Sequence, residues 1–145
     1  MVRVFCVFSN NPRLAGSKQY RPVSSQEILL AVRDEIHRGS SLVNHPLYGN
    51  FRPHQQPYRT LVVEKPSSPG GVDVPSLTLI EKALALYRSY EGRIMTPGIL
   101  DPSVEADYAY VDGELVRETL RHCHLEELLS EGEDDQKSRS GGHEE

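Results

Sequence analysis

Three polar stretches carry the residues suited to chemistry. They are Asn10 and Asn11 behind an apolar run, His45, Asn50 and Arg52 within residues 44–58, and His122-Cys123-His124 near the C-terminus. An Asn side chain offers both a donor and an acceptor, and an imidazole donates, accepts or carries charge. The planar fork of Arg52 suits a carboxylate or a phosphate, and Gly49 permits a turn or a close backbone approach to a ligand. Neutral donors and one guanidinium without an evident nucleophile predict a pocket for a small anionic ligand, such as an amino acid or an acyl phosphate. A second reading makes the chain an enzyme, with His45 as general acid or base and Arg52 orienting an anionic substrate. Histidine's reference pKa of about 6.5 suits that role. Residues 44–58 contain no acid to orient the imidazole, however, and Glu64 is the only acid expected nearby. Whether the protein is an enzyme stays open. Each residue taken singly also suits a structural role, since Asn readily bonds to its own backbone in turns.

Other motifs fail on spacing. Neighbouring helical residues point about 100° apart, so His122-Cys123-His124 offers no chelating pair, and no Cys-x-x-Cys or His-x-x-x-His completes one. Pro69-Gly70-Gly71 lacks the lysine of a phosphate-binding loop, and no G-x-G-x-x-G follows the first strand. No metal and no cofactor is expected. A net charge of -5, with no basic patch and no tryptophan, argues against a nucleic-acid partner. No run approaches the roughly 20 apolar residues of a membrane span, and residues 1–8 are too short for a secretory core. Two cysteines far apart in sequence argue against a disulfide scaffold. The expected location is cytoplasmic.

The elements that must position these residues alternate. Residues 2–8 form an almost unbroken β-prone run, suited to a central strand covered on both faces. Ser24-Ser25-Gln26-Glu27 has the pattern of a capping box. Ile28, Val32 and Ile36 then repeat on one helix face, and Gly39 ends the helix. Short strands follow at residues 41–43 and 59–64, with Lys65 a weak candidate for the pocket. Leu77, Ile80, Leu84 and Tyr87 mark a second helix, ended by Gly92. A last helix starts at Asp101-Pro102 and is expected to reach about Leu129, weakened by Gly113. Its positions Val104, Tyr108, Val111 and Leu115 suit either internal packing or a homodimer.

The fold class is therefore α/β, a small partly parallel sheet with covering helices, plus a C-terminal helix and a disordered acidic tail. The organisation expected is a core domain at residues 1–95, a helical extension at 96–130 and the tail at 131–145. The tail has no apolar side chain to bury and a net charge of -4, so it cannot offset its chain entropy. In an open α/β sheet, ligands lie outside the carboxyl ends of the strands. If strands 2–8 and 41–43 are parallel neighbours, Asn10, Asn11 and His45 share one edge with residues 44–58. That loop is long for a compact domain. Its three prolines and the anchors Leu47, Phe51 and Tyr58 predict an ordered loop.

Asn10-Asn11-Pro12, His45-Pro46-Leu47, Gly49, Arg52-Pro53 and Pro57-Tyr58, in that order and spacing, resemble the GrdX family over roughly residues 3–90. The resemblance implies a small cytosolic protein accompanying glycine, sarcosine or betaine reduction, with amino-acid reductase components as partners. It implies no activity. His54-Gln55-Gln56 and the acidic C-terminus depart from the family pattern. A scaffolding role, with the tail or last helix docking a reductase, is the third reading.

Overall fold

The structure, a computed structural model, describes residues 2–49 and 52–130. Three expectations, the disordered tail, the candidate Asn50 and the loop anchor Phe51, lie outside those residues. Four strands form a mixed sheet: β1 (Phe5–Ser9), β2 (Gln19–Tyr20), β3 (Ser41–Leu42) and β4 (Thr60–Glu64), in the spatial order β2-β1-β4-β3. Three helices cover it: α1 (Ser25–His37), α2 (Val74–Ser89) and α3 (Pro102–His122). The α/β class and the mixed sheet with covering helices are as read from the sequence.

Strand alternation sorts the side chains into two cores. Phe8, Leu61 and Val63 pack under α1 and α2, with Ile28, Ile36, Ile80, Leu84 and Tyr87. Val7 and Val62 face the other way, onto Val116 and Leu120 of α3. The sheet is thus covered on both faces, which accounts for the near-continuous apolar character of β1 and β4. Ser24 caps α1 by accepting from the Glu27 amide at 3.2 Å. Such a cap contributes about 1 kcal/mol. Ile28, Leu29, Val32 and Ile36 are each fully buried, and each contributes roughly 1.5–3 kcal/mol by burial. Packing therefore holds α1 in place, and the cap sets where it starts. Gly39 (φ +107) and Gly92 (φ +86) take the left-handed conformation that follows a helix end.

Four expectations need correction. β1 and β3 run the same way but are not neighbours, because β4 lies between them and is antiparallel to both. A ladder running from Phe5↔Glu64 to Ser9↔Thr60 wins that central place. Glu64 and Lys65 consequently lie at the far end of the sheet from the pocket. Glu64 receives a two-pronged guanidinium contact from Arg3 at 2.9 Å, and Lys65 pairs with Glu35 at 2.8 Å. The last helix stops at His122, not near Leu129. His124 adopts φ 61 and the Leu125 amide donates back to the Leu120 carbonyl at 2.7 Å, which returns Leu125, Leu128 and Leu129 to the α3 core. Finally, α3 turns Ala109, Asp112, Gly113, Val116 and Leu120 inward. Val104 and Leu115 of the expected stripe are exposed.

Candidate functional site

β4 opens at Thr60, directly after Arg59, just where β1 closes at Ser9 and runs on into Asn10 and Asn11. This shared end of the sheet is almost entirely polar, and all five side chains are buried. Because successive strand residues face opposite ways, Thr60 turns to α3 and Arg59 to α2.

On the α3 side, Asp112 is fully buried and accepts every hydrogen bond it makes, the pattern of a carboxylate. Its Oδ2 accepts from Asn11 Nδ2 and Thr60 Oγ1, each at 2.9 Å. Its Oδ1 accepts from the Tyr48 hydroxyl and, at 3.5 Å, from Gln56 Nε2. Ser9 Oγ extends the network to Thr60 Oγ1 at 2.8 Å. Burial and the Asp112 charge push the Tyr48 phenol well above its ordinary pKa, so it remains a donor. Asp112 was no candidate from the sequence. A lone acid at an inward position of a helix reads as an exposed residue until the helix is rotated into place.

On the other face, Asn10 Nδ2 donates to the carbonyls of Val23 (2.8 Å) and Pro57 (2.9 Å), and its Oδ1 accepts from the Arg59 amide at 2.8 Å. Asn11 is equally committed: besides Asp112, it donates to the Ala109 carbonyl and accepts from the Arg13 amide, both at 2.9 Å. The two amides therefore join the end of β1 to residues 44–58 and to α3, and their polar atoms are taken. His45 is exposed, and its Nδ1 accepts from the Leu47 amide at 3.0 Å. Asn44 bonds the β4 backbone instead, at Thr60 O and Val62 N. Arg52 is exposed, on the residue before a 3-10 turn at Pro53–Gln55. Desolvation, then the charges of Arg93 and Arg52, holds the His54 imidazole below its usual pKa. Its ring stacks on Tyr90 at 3.9 Å. The two loop stretches thus meet at one end of the sheet, joined through Asn10, Tyr48 and Asp112.

Two buried arginines at this end differ sharply. Arg13 is matched at every nitrogen, by the carbonyls of Ser130 and Tyr110 and by Glu114. It crosses α3 at Gly113, where an added Cβ would stand 2.5 Å from Arg13 Nη1. Arg59 is fully buried, and among the described residues its guanidinium has one hydrogen bond, from Nη1 to the Tyr48 carbonyl at 3.0 Å. The Tyr48 ring lies over the guanidinium, 4.5 Å from Cζ. Among the described residues, Nε and Nη2, side by side on the fork's other edge, have no acceptor in hydrogen-bonding geometry; the Tyr87 hydroxyl beside them, whose interaction helps hold the Arg59 charge, stands outside that geometry and has no other partner. No carboxylate pairs with Arg59 among the described residues. Desolvation opposes its charge, but Tyr48, Tyr87 and Asp112 outweigh it and hold its pKa above the ordinary value. The strand's own alternation carried the signal, since Arg59 is in phase with Leu61 and Val63 on the covered face.

A cleft of about 420 Å³ opens beyond Asn11, lined among others by Pro12, Arg13, Tyr58, Leu100, Glu105 and Ala109. Its charged and phenolic side chains already have partners. Tyr58 donates to Glu105 at 3.3 Å, and Glu105 accepts from the amides of Gly98 and Leu100. Burial and the Glu105 carboxylate push the Tyr58 phenol up to about 12. No cluster of three or more His, Cys, Asp or Glu able to hold a metal occurs among the described residues. No helix among them is long and apolar enough to cross a membrane.

The chain matches the model of the GrdX-like protein family over residues 6–121. That match runs past the resemblance read from the sequence and takes in α3 with Asp112. No curated protein and no solved structure matches it.

Proposed function

The chain belongs to the GrdX-like protein family, and we propose that it binds a small anionic metabolite at the end of the sheet where β1 closes and β4 opens, through Arg59. One observation carries this reading: a buried guanidinium with a whole donor edge unmatched, beside an unmatched hydroxyl. Burying a charge without its hydrogen bonds is costly, and a bidentate acceptor relieves that cost at Nε and Nη2 together. Asn10 and Asn11 support the site by fixing the strand ends around it. The exposed Arg52 and Arg93 add positive charge near the same loop, which favours the approach of an anion. In this reading His45 and Arg52 lie at the rim.

Binding is favoured over catalysis because no carboxylate among the described residues orients His45 and one ring nitrogen is spent on a backbone amide. A cytoplasmic accessory role beside amino-acid reductase components, implied by the family, belongs to the same proposal.

Calorimetry and thermal melting with amino acids and with acetyl phosphate test it. The parent protein is expected to give heat and a raised Tm with at least one of these anions. Arg59→Lys, which keeps the charge but loses the fork, is expected to lose that response. Folding of the variant is checked by its own melting transition. Absence of heat and of any Tm change with every anion overturns the proposal and leaves the free edge to ordered water.

A further inference from the structure

Resting on that reading, we infer that the group held by Arg59 is a singly charged one, a carboxylate, and that a doubly charged phosphate is rejected. The buried charges at this end of the sheet are few. Arg59 is positive, Arg13 is positive but already paired with Glu114 and two carbonyls, and Asp112 is negative and linked to Arg59 through the intervening Tyr48, whose hydroxyl donates to it. Asp112 already has its own donors in Asn11, Thr60 and Tyr48, so it asks nothing of a ligand.

One ligand charge is matched by Arg59. A second would be buried with no cation of its own, within reach of the Asp112 charge. Arg52 and Arg93 are exposed, so solvent screens what they offer to a group enclosed beside Tyr87. An uncompensated buried charge outweighs the hydrogen bonds that a third phosphate oxygen adds. The donor set agrees: two parallel N–H groups and one O–H match the two oxygens of a carboxylate.

Three probes sharing a methyl group separate charge from shape. Acetate is planar and singly charged, methanesulfonate is tetrahedral and singly charged, and methylphosphonate above neutral pH is tetrahedral and doubly charged. Each is titrated into the parent protein at millimolar concentration and constant ionic strength, with amide and arginine side-chain NMR shifts as the readout. Acetate and methanesulfonate are expected to saturate the same shifts, with methylphosphonate at least about tenfold weaker, the scale of an unmatched buried charge. Methylphosphonate binding as tightly as acetate overturns the charge argument and leaves anion binding at Arg59 intact. Failure of all three to move the Arg59 resonances overturns both.

Discussion

The Tyr48 hydroxyl donates to the Asp112 carboxylate and accepts from the Thr60 amide at 2.6 Å, so one loop side chain is bonded to both the sheet and the last helix. The same residue touches Arg59 twice, through its ring and through its carbonyl. Loop, strand and α3 are therefore joined at the point where the unmatched guanidinium edge lies.

Tyr48→Phe keeps the ring over Arg59 but strips the hydroxyl from two buried partners. Leaving a buried polar group unsatisfied costs about 1–3 kcal/mol, and here the Thr60 amide and one Asp112 oxygen both lose their close partner. Urea unfolding is expected to show a loss of about 2–4 kcal/mol. Asp112→Asn, which sets a new donor among existing donors, should destabilise comparably, and the double variant should fall short of the sum because the two residues share one network. A loss under about 0.5 kcal/mol for Tyr48→Phe, the level of an ordinary surface change, would show that the hydroxyl holds nothing.

Gly113 sits inside α3, where replacing Gly by Ala ordinarily stabilises a helix by about 1 kcal/mol. The opposite is expected here. The new Cβ would meet Arg13 Nη1 at 2.5 Å and Leu129 Cδ1 at 3.0 Å. Arg13 cannot swing aside without giving up its bonds to Tyr110, Ser130 and Glu114. Overpacking of this kind costs roughly 1–3 kcal/mol, so Gly113→Ala should lower the urea midpoint. A raised midpoint would mean that Arg13 yields freely.

His54 gives a pH dependence of definite sign. Its folded pKa is lowered, by desolvation first and then by Arg93 and Arg52, from an ordinary 6.5. The unfolded chain therefore takes up the proton first. The stability this supplies is complete above about pH 6.5 and is lost as pH falls through the lower folded value. Tm measured from about pH 7.5 down to pH 5 should decline, and His54→Phe, which preserves stacking on Tyr90, should flatten that decline. The acids with lowered pKa, such as Glu35 beside Lys65 and Glu64 beside Arg3, titrate below this window. An unchanged slope in the variant would assign the decline to other groups.

Much of the framework is legible in local pattern. Ser24 with Glu27 marks the start of α1, the spacing of Ile28, Val32 and Ile36 gives its buried face, and Gly39 and Gly92 follow the first two helices. The run ending at Phe8 reads correctly as a central strand. β2 escapes notice because two residues, Gln19 and Tyr20, carry no periodicity. The end of α3 escapes because a left-handed His124 has no compositional mark comparable to glycine. Asn10 and Asn11 are recognisable as polar residues at a strand end, but the groups their side-chain N–H donate to, on Val23, Pro57, Ala109 and Asp112, lie between 13 and 101 positions away.

The chain's order of residues alone determined the α/β class, where α1 and α3 begin, the family and the end of the sheet where polar groups gather, because the Ser24 cap, a proline in a first helical turn, periodicity and strand ends are local matters. Tertiary structure decided that β4 runs against β1, which sends Glu64 away and brings Arg59 in. It also decided that α3 delivers Asp112 to Asn11, Tyr48 and Thr60. Strand direction and helix rotation are settled by which faces bury together across the whole chain, so whether a buried charge ends matched, as Arg13 does, or unmatched, as Arg59 does, is settled only there.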